Sequence, residues 1–182
     1  MSGGRAVPGE NQGVADQAGA ANRCEALLQH TLEAVRPALT WQHGVPTAGE
    51  VMLAHGTTDG SARWYVSRNR NILTVVSPAR RGALLGVVER HWRRSGHIIS
   101  SVNADHEMPG LYATTVDGYR LGLDFGTAGN AYVTATSPPV ARTERISHPP
   151  GTPGIARYPG GHADLAPLPS AFCPFWSDRD GG

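Results

Sequence analysis

The chain contains no lysine: all 16 of its basic residues are arginines. That absence excludes the loop G-x-x-x-x-G-K-[ST], whose lysine reaches the β- and γ-phosphates of a nucleotide. No surface function would strip out every lysine while keeping arginine, so the bias reads as the codon usage of a GC-rich genome. Against 15 acidic residues the net charge is +1, which steers the protein toward neither nucleic acid nor an anionic membrane. Long apolar runs are missing as well. No stretch approaches the roughly 20 residues needed to span a bilayer. Residues 1–21 lack the apolar segment of about 7–15 residues that an export signal requires, so the visible N-terminus by itself points to the cytoplasm.

Cysteine is scarce. Cys24 and Cys173 belong to no C-x-x-C pair and to no zinc-type Cys/His spacing. Two readings stay open for them: two free thiols, or a disulfide pinning the tail to the first helix. The disulfide would close a very long loop, worth ~4–5 kcal/mol on the chain-entropy view, and would need an oxidising compartment.

Glycine and proline crowd the ends. The expected organisation is a disordered segment over 1–21, one domain over 22–140, and a Pro/Gly-rich disordered tail over 141–182. The aromatic group Phe172, Phe175 and Trp176 is the exception in that tail, with two readings open: a cluster that docks on the domain, or a sticky segment in a disordered tail.

Within the domain, a first helix is expected over 22–36. Asn22 caps it, Glu25 completes a capping box, and Leu28, Leu32, Val35 and Leu39 share one face. Residues 44–61 read as a loop. Residues 63–76 have strand character, interrupted by Arg68-Asn69-Arg70-Asn71, which suggests a turn between two short strands or a single bulged one. A second helix is expected over 78–95. Ser77 sits at its N-cap, Pro78 at its first position, and Arg81, Leu85, Val88 and Trp92 fall on one stripe, joined by Leu84 and His91 beside it.

Strands follow at 97–102, 111–116, 119–125 and 131–136. Asp117-Gly118 reads as a two-residue hairpin turn, pairing Val116 with Tyr119, Thr114 with Leu121 and Tyr112 with Leu123 on one face. Pairing Phe125 with Ala131 turns Ala131, Val133 and Ala135 inward; a one-residue slip would bury Tyr132 instead. The expected fold class is α+β, an antiparallel sheet of about four to six strands with two helices on one face.

Chemistry is sparse in this pattern. Eight histidines form no H-x-x-x-H or H-E-x-x-H motif, so no metal and no cofactor is expected. No G-x-S-x-G elbow is present. His55 with Asp59, or the loop Asp105-His106-Glu107, are the residues a hydrolase of unknown type would use. The arginines of the second helix divide between its two ends without an aromatic platform, which argues against a nucleic-acid reader. A sheet face left open by the helices would carry Thr115, Arg120, Asp124, Tyr132 and Thr134, the candidate binding residues.

The stretch from Arg80 to Trp92, the segments Ile99–Asn103 and Met108-Pro109, the run Tyr112–Arg120, and Phe125–Asn130 leading to Ser137-Pro138 together carry a resemblance. They resemble a group of small uncharacterised actinobacterial proteins, Streptomyces-type, of the secreted or lipoprotein kind. The resemblance covers about residues 22–140 and implies a cell-envelope or extracellular location. It brings no activity with it. Many members have Ser-Pro-Cys where this chain has Ser137-Pro138-Pro139, so any disulfide there is lost. The expected function is a non-catalytic binding or accessory domain of the envelope. Its partner would be a protein or another envelope component. A hydrolase and a cytoplasmic interaction partner are the alternatives.

Overall fold

The computed structural model describes residues 15–51, 64–154 and 167–179. Its elements are α1 (Gln17–Glu33), β1 (Trp41–His43), β2 (Thr47–Glu50), β3 (Trp64–Ile72), α2 (Pro78–Arg94), β4 (Ile98–Asn103), β5 (Gly110–Thr114), β6 (Arg120–Phe125) and β7 (Ala131–Thr136). All seven strands join one antiparallel sheet in the order β1-β3-β7-β6-β5-β4, with β2 continuing the β1 edge along β3. Both helices lie on one face, α1 against β3 and β7, α2 against β4 and β5. The architecture is the α+β layer pair expected from the pattern, with β1 and β2 added in a region the sequence reads partly as loop.

The register of β6 on β7 is the expected one, with Phe125 opposite Ala131, Leu123 opposite Val133 and Leu121 opposite Ala135. These six side chains are buried beneath the helices. Alternation with a small residue opposite a large one lets the helices approach the sheet closely, and each fully buried Leu or Val contributes about 1.5–3 kcal/mol. On α2 the buried residues are Arg81, Leu84, Leu85, Val88 and Trp92, while His91, expected beside them, is only half-buried. Trp92 Nε1 donates to Thr31 Oγ1 at 2.9 Å, so the largest buried ring also ties α2 to α1.

The β5–β6 hairpin departs from expectation by one residue. Thr115 N donates to Tyr119 O at 2.9 Å and Gly118 N to Thr115 O at 3.0 Å, with Gly118 at φ +85°. The loop therefore has three residues, a turn closed by a left-handed glycine, rather than two. Tyr112 consequently pairs with Gly122 and Thr114 with Arg120. The one-residue shift sends Tyr112 and Thr114 to the opposite face from Leu121 and Leu123, and leaves Val116 88% exposed at the loop tip.

Helix α1 starts five residues earlier than the 22–36 reading. Asp16 is its N-cap, and Asp16 Oδ1 accepts from Gly19 N at 2.8 Å. Glu25 is not part of a capping box: it reaches two arginines on β3. That strand is continuous through Arg68-Asn69-Arg70-Asn71, and no turn divides it.

The tail boundary also moves. Val140 exchanges backbone hydrogen bonds with Trp64, and Ala141 bridges Asp16. Residues 167–179 pack on the domain, where Ala171 bridges Thr74 and the buried Trp176 donates from Nε1 to Pro37 O at 2.7 Å. The two cysteines are free. Cys24 is buried on the inner face of α1, and Cys173 is half-buried in the C-terminal segment just before Trp176. Burial pushes the Cys24 thiol up to about 12, with Arg68 opposing the shift.

Candidate functional site

Among the described residues no helix lies over the second face of the sheet. Arg120, Asp124, Tyr132 and Thr134 stand on it, at the positions their alternation predicts. Thr115 does not. It is buried on the helix side, and its Oγ1 accepts from Tyr119 N at 2.9 Å, a consequence of the three-residue hairpin loop. The same shift brings Tyr112 to the open face, which the two-residue turn had concealed.

Tyr112 is held in an unusual way. A Cβ on Gly122 would lie 2.9 Å from Thr134 Oγ1 and 3.4 Å from Tyr112 Cδ1, and one on Gly110 would lie 2.9 Å from the Tyr112 hydroxyl. The ring thus lies across two glycines whose missing side chains make room for it. Its hydroxyl donates to Asp124 Oδ1. That hydrogen bond to the carboxylate pushes the Tyr112 phenol up to about 12, with burial and the Asp124 charge adding to it. Burial and the same carboxylate also raise Tyr132, which sits opposite Asp124 in the register. Farther along the face, the Ser67 and Thr136 hydroxyls share a hydrogen bond of 2.8 Å. The result is a level, half-exposed polar surface with an aromatic ring lying on it.

The loop reading fares differently. His55 and Asp59 lie outside the described residues. Asp105 Oδ1 accepts from Glu107 N at 2.9 Å and from Met108 N at 2.7 Å, and these bonds hold its carboxyl below the ordinary range. Asp105 therefore shapes its own loop. Glu107 contributes its carbonyl oxygen to Arg81.

A recess of about 730 Å³ opens at the start of α2, lined by arginine, serine and apolar residues, with His106 the one histidine among its described lining. A cleft of about 240 Å³ between the helices carries His30, His91 and His97. Burial lowers His91 and His97 below the usual histidine value, and Arg94 and Arg23 respectively add to the effect. Among the described residues no group of three or more His, Cys, Asp or Glu is placed to hold a metal ion. No helix there is long and apolar enough to cross a membrane.

Fold and face together define a two-layer α+β domain in which, among the described residues, no helix covers one sheet face. No family model matches the chain, and no curated protein matches it. Among solved structures it is similar to a DUF4853 family protein from Actinomyces odontolyticus, at 12% identity and a TM-score of 0.44, over 76% of this chain and 77% of that one. A likeness at that identity concerns the fold alone.

Proposed function

We propose that the protein is a non-catalytic binding domain of the actinobacterial cell envelope whose open sheet face receives a neutral, hydroxyl-rich partner such as an envelope glycan. The observation that carries this reading is the Tyr112 ring, spread over Gly110 and Gly122 and fixed by Asp124. An aromatic face presented flat offers an apolar surface to the C–H side of a sugar ring. The Asp124 carboxylate and the Thr134 hydroxyl beside it offer acceptors to sugar hydroxyls. A carboxylate at the centre of the patch repels phosphates, which disfavours nucleic acid. The envelope location rests on the sequence resemblance.

Sedimentation with purified actinobacterial cell walls tests it. The full chain is expected to sediment, and Tyr112→Ala to weaken binding about tenfold, the scale of ~1.4 kcal/mol. Arg94→Ala, exposed on the helix side, is expected to leave it unchanged. Equal binding by the wild type and Tyr112→Ala, or no binding by either, overturns the proposal.

A further inference from the structure

The recess at the N-terminus of α2 belongs to no part of the sheet face. Four segments distant in sequence build it: the start of α2 with the preceding Val75 and Val76, the β4–β5 loop at His106, the β6–β7 turn at Ala128 and Gly129, and the C-terminal segment at Leu168 and Pro169. Its volume of about 730 Å³ falls in the range of small-molecule sites, about 300–1,000 Å³.

Its chemistry is two-sided. On the polar side stands Arg81, only 9% exposed. Its Nη1 donates to Glu107 O and its Nε to Val76 O at 3.5 Å, and Phe125 lies 5.2 Å from the guanidinium carbon. Nη2 has no hydrogen-bond partner among the described residues. Arg179 and His106 line the same space, and among the described residues no Asp or Glu does. The Glu107 carboxylate acts on Arg81 from the neighbouring loop, outside the lining. The N-terminal end of α2 adds its partial positive charge. Ser77 does not quench that end, because its hydroxyl donates to Asp178 O and makes no cap bond. On the apolar side, Val75 and Leu168 are large hydrophobic residues left 36% and 64% exposed, and both face this recess.

We infer that this recess is a binding site for a small amphiphilic anion, a carboxylate or phosphate head on a short apolar body. The head takes the free donor of Arg81 and the end of α2. The body covers Val75 and Leu168, gaining about 25 cal/mol per Å² of apolar surface removed from water. A planar guanidinium with a donor to spare suits either oxyanion.

Calorimetric titration of the full chain with octanoate, octyl phosphate and 1-octanol tests the site. At least one of the two anions is expected to bind about tenfold or more tightly than octanol, because the charge-assisted hydrogen bond is lost with the alcohol. Whichever anion binds better identifies the head group. Ala128→Trp, in the exposed turn, fills the recess and is expected to abolish binding. Arg81→Met is expected to reduce anion binding to the octanol level, with circular dichroism reporting its fold. Octanol binding as tightly as both anions, absence of binding by all three, or unchanged binding in Ala128→Trp overturns the inference. Because none of these substitutions touches the sheet face, its failure leaves cell-wall binding through Tyr112 unaffected.

Discussion

Strands β3 and β7 run side by side, yet they meet the helix layer in opposite ways. β7 turns Ala131, Val133 and Ala135 toward the core and Tyr132, Thr134 and Thr136 toward the open face, a clean alternation. In β3 the same inward positions hold Val66, Arg68, Arg70 and Ile72, so two arginines, each 3% exposed, sit within the core layer. Glu25 of α1 meets both: Oε1 lies 3.3 Å from Arg68 Nε, and Oε2 pairs with Arg70 Nη2. Trp41 stacks on Arg70, its ring centroid 4.8 Å from the guanidinium carbon. Arg68 Nη2 and Arg70 Nε have no hydrogen-bond partner among the described residues. The inward face of β7 is purely apolar, whereas that of β3 depends on one carboxylate supplied from α1. Buried ion groups of this kind are weak sources of stability when intact and costly when broken.

The sharpest way to break the contrast is to remove that carboxylate. Glu25→Ala leaves two buried guanidinium groups uncompensated and is expected to cost about 3–5 kcal/mol, read from urea unfolding. The triple change Glu25→Leu, Arg68→Met and Arg70→Met, which removes the charges together, is expected to restore stability to the wild-type level or above. A triple variant as unstable as Glu25→Ala would show that the ion group contributes more than its charges. On the neighbouring strand, Val133→Ala, opposite Arg70 in the register, is expected to cost about 2 kcal/mol, as lost burial plus a small cavity. The two losses should add when combined if β3 and β7 are energetically separate.

The smallest effect is one of pH. His43 and His148 lie near the arginine group. Burial lowers both below the ordinary 6.5, and Arg70 and Arg68 respectively lower them further. A depressed histidine is neutral in the folded chain where the unfolded one is already charged. Its contribution is therefore fully present above pH 6.5 and is lost as pH falls through the folded values. The urea midpoint is expected to stay level above about pH 7 and to decline below 6.5, less steeply in His43→Asn. A flat profile from pH 7 to 5 would contradict the lowered values of these histidines.

The same contrast explains what sequence reasoning reached. In β6, β7 and α2, local periodicity and nearest-neighbour chemistry decide which face is buried, so Leu121, Leu123, Val133 and the α2 stripe were legible. Four of the five candidate face residues were placed for the same reason. Arg68 and Arg70 were not legible, since charged residues in a strand pattern read as a turn until a buried acid is known to await them. Tyr112 was missed through one residue of loop length: Asp117-Gly118 signals a tight hairpin, and only the bond from Gly118 N back to Thr115 O reveals the longer turn.

The order of letters alone determined the layer architecture, the inward set of β6 and β7, and the start of α2 at Pro78, because alternation and helical spacing are properties of adjacent residues. The tertiary structure decided the pairing of Glu25 with Arg70 across 45 positions, the docking of Trp176 against Pro37, and the recess that the docked segment helps to wall. Those depend on which distant groups become neighbours. A buried charge or an apolar wall takes its meaning from a partner that no local pattern encodes.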